Sequence, residues 1–265
     1  MGAKLLNSIP RRIVRANVAI SERIEPSIIE NTHAYTKYYE TGENLLRLEP
    51  NHVLDVGAGK EWPFAPELKR QGMSLTGFDI DIDEMSGNDL LDQKLCGDAC
   101  ESLGVPDGSV DLIMARATIE HLHDNASFVR NAHRALREDG RIIVTFPGKY
   151  APFAILNRIL PPRIAQWLLH HLVPGSDGML GFKAFYDQAS FHEFRGILVE
   201  AGFEIENEYA SYFSCMYYRF FVPLFALGLA YDYLCSSLGN PRFASYLMFV
   251  AKKSRYPSTD TPSSR

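Results

Sequence analysis

The stretch HVLDVGAGKEWPF, residues 52–64, sets one carboxylate, Asp55, two positions ahead of a Gly-x-Gly turn at Gly57 and Gly59. Glycines there let a ligand lie close against the backbone. A dinucleotide turn of the G-x-G-x-x-G type needs a third glycine at position 62, where this chain has Trp62. Its pyrophosphate would also lie between Asp55 and Glu61. Two carboxylates repel such an anion, so the expected ligand is positively charged here, as an ammonium and a sulfonium are. A second group is Glu120 and His121 in ATIEHLHDN, residues 117–125. Imidazole titrates near neutrality, so His121 is the candidate general base, with Glu120 beside it as a second titratable group. Ordering the loop or packing on the ligand is the alternative role for His121. His121, His123 and Asp124 are neighbours in one loop, too few and too close to complete a coordination sphere, so no metal is expected. No G-x-S-x-G is present, which removes a nucleophile elbow.

These groups need a frame that brings 55–59 and 117–125 to one edge. Short apolar runs alternate with helical stretches: strand at 52–56, helix at 63–71 closed by Gly72, strand at 74–78, strand at 109–115, helix at 125–138 and strand at 140–146. A helix at 191–202 and strands in FEIENEYA and ASYLMFVAKK complete the pattern. Nearly continuous apolar strands are buried on both faces, as in a parallel sheet flanked by helices. The expectation is an α/β, doubly wound, Rossmann-like sheet of seven strands, mostly parallel with a reversed edge strand, carrying helical insertions. The 117–125 loop then follows the fourth strand at the carboxyl edge, where open sheets of this kind take ligands.

A chain of 265 residues, 46% apolar, fits one large domain with additions. The divisions expected are a helical cap at 1–44, the main domain at 45–253 with insertions at about 150–186 and 211–243, and a disordered tail at 254–265. A net charge of −5 gives no basic field for nucleic acid. Cys96, Cys100, Cys215 and Cys235 form no C-x-x-C pair and read as reduced thiols. Lys4, Arg11, Arg12 and Arg15 are followed by no secretory h-region, so a cytoplasmic location is expected. The run FFVPLFALGLAY, residues 220–231, is too short to cross a bilayer and reads as a buried core helix or as part of an interfacial surface with 153–173 and the cationic N-terminus. His170 and His171 read as helix-end residues. Both insertions are expected to roof the acceptor pocket, and their Phe, Tyr, Leu and Trp content points to an apolar or lipid-linked small molecule.

With these residues in order, the chain resembles the class I S-adenosylmethionine-dependent methyltransferases, in particular the methyltransferase type 11 group. VLDVGAG is similar to that family's first motif, matched at Asp55, Gly57 and Gly59, while Glu61 departs from its third glycine. The resemblance implies that Asp79 in LTGFDID, 24 positions beyond Asp55, holds the ribose hydroxyls, with Asp81 as the fallback. GDACESLGVPDGSVDLI resembles the family's adenine stretch, which implies contacts from Asp98 and Ala99. The family carries a similar Glu-His pair at 120–121, and RALREDGRIIVTFPG resembles its next strand entry. The implied activity is methyl transfer from S-adenosylmethionine to a small molecule, oxygen favoured over carbon as acceptor atom. The alternatives are a catalytically silent binding module on the same fold and an NAD-dependent oxidoreductase.

Overall fold

The computed structural model describes residues 8–160 and 183–254, with side chains from residue 12 onward in the first helix. His170, His171 and most of the 150–186 insertion and the 254–265 tail lie outside the described residues. Seven strands form one sheet: β1 His52–Val56, β2 Ser74–Asp79, β3 Gln93–Cys96, β4 Val110–Arg116, β5 Leu136–Pro147, β6 Phe203–Ser211 and β7 Tyr246–Lys253. Their order is β3-β2-β1-β4-β5-β7-β6. Pairing is parallel from β3 to β5. The reversed strand is β7, antiparallel to both β5 and β6; it lies one place in from the edge, with β6 outside it.

The helices are α1 Ser8–Ile24, α2 Ile28–Asn31, α3 Ala34–Leu46, α4 Asn125–Ala135, α5 Pro152–Ile159, α6 Phe191–Glu200 and α7 Val222–Leu238. Side chains alternate across each strand, so each strand feeds two cores. Leu54, Ile113 and Val144 pack with Phe128 of α4 and Phe194 of α6. Val53, Leu112 and Ile143 pack on the opposite face with Tyr38 and Leu46 of α3. Burying one such side chain is worth about 1.5–3 kcal/mol, which makes the two layers the main support of the sheet.

Two expectations change. In place of a helix at 63–71 there is only a 3-10 turn, Pro66–Leu68. Pro63 and Pro66 disfavour helical backbone in the residues before them, and Trp62 and Phe64 are buried on either side of Pro63. Farther on, α4 stops at Ala135 and β5 begins at once with the buried Leu136, ahead of the expected start at 140.

Strand order turns around at β1, with β2 on one side and β4 on the other. Their carboxyl ends therefore diverge into loops that leave a crevice, and 57–59 and 117–121 border it. Over this region α3 lies close to the sheet because Gly42 has no side chain. A Cβ there would come 2.5 Å from Phe64 Cζ and 3.1 Å from Met114 Cε.

Alanine at position 42 gains about 1 kcal/mol of helix propensity and costs about 1–3 kcal/mol through overpacking. G42A should therefore lower the urea midpoint of unfolding; a higher midpoint would show that α3 does not need this close approach.

Candidate functional site

Gly57 has left-handed backbone, φ 73°, and its N–H donates to Phe78 O at 2.8 Å, which folds the turn over the end of β2. A Cβ on Gly57 would overlap Thr118 Oγ1. That hydroxyl is fixed by donating to Val56 O at 3.0 Å. Ala117, also left-handed at φ 53°, turns the chain out of β4 and brings Thr118 under the loop. On the same turn Gly59 N–H donates to Asp79 Oδ2 at 3.2 Å. Asp55, Gly57, Gly59 and Asp79 are thus brought together at the ends of β1 and β2. Asp81 is instead an exposed cap that accepts Asp83 N–H at 3.0 Å.

Asp55 is 4% exposed, and burial pushes its carboxyl up to about 7; Arg116 opposes the shift and Asp79 adds to it. Glu61 is exposed, so the second carboxylate that influences Asp55 is Asp79. The charge argument survives with that exchange of residues. Trp62, at the place of the dinucleotide glycine, is buried in the core that holds Tyr38. Trp62 Nε1 and Tyr38 Oη are buried donors without a hydrogen-bond partner among the described residues. Together with Arg116 they provide donors for a carboxylate, and Asp55 provides an acceptor for an ammonium. The set is chemically matched to an α-amino acid head.

Asp98 lies at the far side of the crevice. Partial burial works against its ionisation, but Cys100 N–H at 2.8 Å and His123 Nε2 at 3.0 Å hold its carboxyl below the usual range. Ala99 is buried, and its carbonyl accepts from Asn131 Nδ2 at 3.0 Å. Asp98, Cys100 and His123 bring one ligand-capable atom each within 4.8 Å, a grouping different from the His121, His123 and Asp124 set considered above. Burial pushes the Cys100 thiol up to about 11, which keeps it protonated at neutral pH.

Glu120 is 5% exposed. Burial pushes its carboxyl up to about 8, and Oε2 has no partner among the described residues. The backbone holds the residue in place, since Glu120 O accepts Phe185 N–H at 2.8 Å and Tyr186 N–H at 3.0 Å. His121 Nδ1 donates to Lys183 O at 3.2 Å, leaving the ring lone pair on Nε2, 3.9 Å from Glu120 Oε1. Burial lowers the His121 pKa, so the ring is neutral at physiological pH.

Above this edge is a cavity of about 510 Å³ with His33, Tyr35, Tyr217 and Tyr246 among its walls. The Tyr217 and Tyr246 hydroxyls share a hydrogen bond of 2.6 Å, and Phe153 stacks on Tyr217 with ring centroids 4.6 Å apart. Tyr35 has a phenol pushed well up by burial first, then by Glu120, with Arg116 opposing. Among the described residues the walls come from the N-terminal segment, the second insertion and the start of β7. Phe153 of the first insertion does not line the cavity but stacks on Tyr217 and Tyr246.

The family model described as a methyltransferase domain matches residues 31–208, more than half of the chain. Among solved structures, a Haloferax volcanii protein described as a methyltransferase, determined with a methyltransferase activator, superposes with a TM-score of 0.52 at 16% identity, covering 83% of this chain and 92% of that one. A SAM-dependent methyltransferase from Thermotoga maritima gives 0.50 at 15% identity, covering 82% and 89%. Those likenesses are of fold. The Gly57 cradle, which a Cβ would fill, and the donors and acid matched to an amino acid head fit the methionine end of S-adenosylmethionine. The oxidoreductase and silent-module alternatives are set aside, because the chain belongs to the methyltransferase domain family and is an enzyme that uses S-adenosylmethionine.

Proposed function

We propose that the chain methylates a heteroatom of a small molecule seated against Tyr35 and Tyr246, with residues 1–44 as a cap over the domain at 45–253. When bound, S-adenosylmethionine supplies an electrophilic methyl group on a positively charged sulfur. Asp79 takes the ribose hydroxyls, Asp98 and Ala99 border the adenine, and the Gly57 and Gly59 backbone admits the methionine end. Asp55 takes its ammonium, while Tyr38, Trp62 and Arg116 take its carboxylate. The observation that carries this reading is Tyr35, which lines the cavity and is influenced by both Glu120 and Arg116 at the end of β4. Acceptor chamber and cofactor cradle meet there.

Once a cation beside it favours its ionised form, Glu120, the buried acid that influences the cavity tyrosines, receives the acceptor's proton, with His121 Nε2 3.9 Å from its carboxyl. A hydroxyl or an amine needs such a base. The carbon acceptor considered from sequence would need an acidified C–H as well.

The apolar character of the acceptor rests on α7 and α1. Along α7 one stripe is exposed, Phe221, Leu224, Leu227, Leu234 and Leu238, with Leu227 67% open to solvent. Asp232 faces inward and accepts the N–H groups of Ser214 and Cys215, both at 2.7 Å. Next to α7, joined by Asn17 Oδ1 to Val222 N at 3.1 Å, α1 exposes Ile13, Ile20 and Ile24 among Arg12, Arg15 and Arg23. No helix of the described residues is long and apolar enough to cross a membrane. An apolar stripe edged by cations suits the surface of an anionic bilayer, so a cytoplasmic enzyme in peripheral contact with membrane is the arrangement favoured.

Label from methyl-labelled S-adenosylmethionine should appear in the organic-extractable small-molecule fraction; label confined to protein or nucleic acid would sink the proposal. Asp79→Ala should weaken S-adenosylhomocysteine binding by calorimetry about 10- to 150-fold, the loss of charged hydrogen bonds, and an unchanged affinity would remove Asp79 from the ribose. Glu120 is protonated up to about pH 8 in the fold and ionises near 4.5 when unfolded, so its stabilisation is complete below 4.5 and lost as pH rises through 8. The melting temperature should therefore fall between pH 5 and 9, less steeply in Glu120→Gln, where the similar shift of Asp55 still acts. Equal slopes would show that Glu120 is not a buried acid. Vesicles containing phosphatidylserine should co-sediment the protein, and Leu227→Glu with Leu234→Glu should abolish this; no sedimentation of wild type would end the membrane assignment.

A further inference from the structure

We propose that the acceptor is a protonated primary or secondary amine on an apolar body, held with its ammonium against the cavity tyrosines and the acidic rim above them. This rests on the reading that the cavity seats the acceptor.

The rim carries Glu22, Glu25 and Glu30 against the single guanidinium of Arg219, a surplus of two negative charges if all four groups are ionised. Arg219 is bound to Glu25 through two contacts of 2.7 and 2.5 Å and lies 3.8 Å from Glu22. Glu30 has no ion pair among the described residues. His33 contributes no positive charge, because burial lowers its pKa to about 4. Its Nδ1 accepts Tyr35 N–H at 3.2 Å, so the ring proton sits on Nε2. His33 is part of the cavity wall and 8% exposed, and this buried donor has no partner among the described residues. It suits an oxygen on the same molecule.

Tyr35, Tyr217 and Tyr246 line the cavity, and aromatic rings and phenol oxygens are groups that attract a cation. His33 and Tyr246 are 4.5 Å apart between centroids and Tyr35 and Tyr246 5.3 Å, so the aromatic wall is continuous. Glu120 lies beyond it and influences all three tyrosines. Surplus negative charge repels a carboxylate or phosphate acceptor and gives a neutral alcohol no advantage. An ammonium gains from the carboxylates and the phenol oxygens, with Arg219 and Arg116 opposing it.

The same arrangement gives the proton a destination. A cation beside Glu120 favours the carboxylate, which takes one proton from the ammonium. The freed nitrogen lone pair forms the new bond to the methyl carbon, the carbon–sulfur pair stays on sulfur, and the methylated nitrogen keeps the positive charge that the sulfonium loses.

Protein saturated with S-adenosylhomocysteine is titrated by calorimetry with phenethylamine, phenethyl alcohol and phenylacetate, which share one apolar body. The amine should bind at least about tenfold more tightly than the alcohol, with phenylacetate weakest. The preference should shrink in the doubly substituted Glu22→Gln, Glu30→Gln protein, whose exposed sites leave folding intact. In Glu120→Gln the amine preference should fall while S-adenosylhomocysteine affinity stays unchanged. Alcohol or phenylacetate binding as tightly as the amine, or no amine binding while S-adenosylhomocysteine still binds, overturns the amine assignment and leaves the methyltransferase reading standing. Failure to bind S-adenosylhomocysteine at all overturns both.

Discussion

Two carboxyl groups, Asp55 and Glu120, are buried at the same edge of the sheet, neither in an ion pair with Lys or Arg among the described residues. An acid held this way is stable in the dry state only while protonated, and it gains most when a cation approaches. Much of the neighbouring structure follows from that constraint. Gly57 leaves room for Thr118, whose hydroxyl donates to Val56 O next to Asp55 in the chain, and Arg116 lies near enough to offset part of the burial cost. On the other side, Glu120 influences Tyr35, Tyr217 and Tyr246, and burial keeps it protonated at neutral pH until a cation approaches.

The edge lacks what doubly wound folds use for phosphates. Only a 3-10 turn follows the glycine loop, so no long helix directs its amino-terminal N–H groups at the ligand. Carboxylates take that place in the electrostatics of the crevice. A fold shared with nucleotide binders is here adapted to a ligand of the opposite charge.

β1, β2, β4 and β5 were readable because buried parallel strands are largely apolar, and VLDVGAG and LTGFDID each carry their glycines and acid within one short segment. The short, half-exposed β3, QKLC, gives no such signal and is not assigned from sequence. Asp55 and Asp79 could be matched because a single strand end fixes each. The chamber could not be read in this way: Tyr35, Tyr217 and Tyr246 are far apart in the chain and share no spacing. Their convergence depends on the path of the second insertion and the insertion of β7 between β5 and β6. Glu61 was misleading for the opposite reason. It stands where the motif has its third glycine and reads as a second acid beside Asp55, but the prolines that follow prevent the expected helix, and its side chain stays in solvent. Composition also could not distinguish a buried apolar helix from an exposed one; α7 buries Phe225, Gly228, Asp232 and Cys235 and leaves most of its leucines outside.

The direction of β7 has a consequence for the order in which the protein matures. Because the strand runs backwards, its first residue, Tyr246, rather than its last, reaches the working edge, opposite Pro147. That residue follows its wall partners His33 and Tyr35 by more than 200 positions, with β1 to β6 all lying between them in the chain. The cradle around Asp55 can close from contiguous segments, whereas the cavity beside it cannot close until β7 has emerged. A product stopped before β7 would therefore retain the segments that carry Asp55, Gly57, Gly59 and Asp79 while lacking the Tyr246 wall of the cavity.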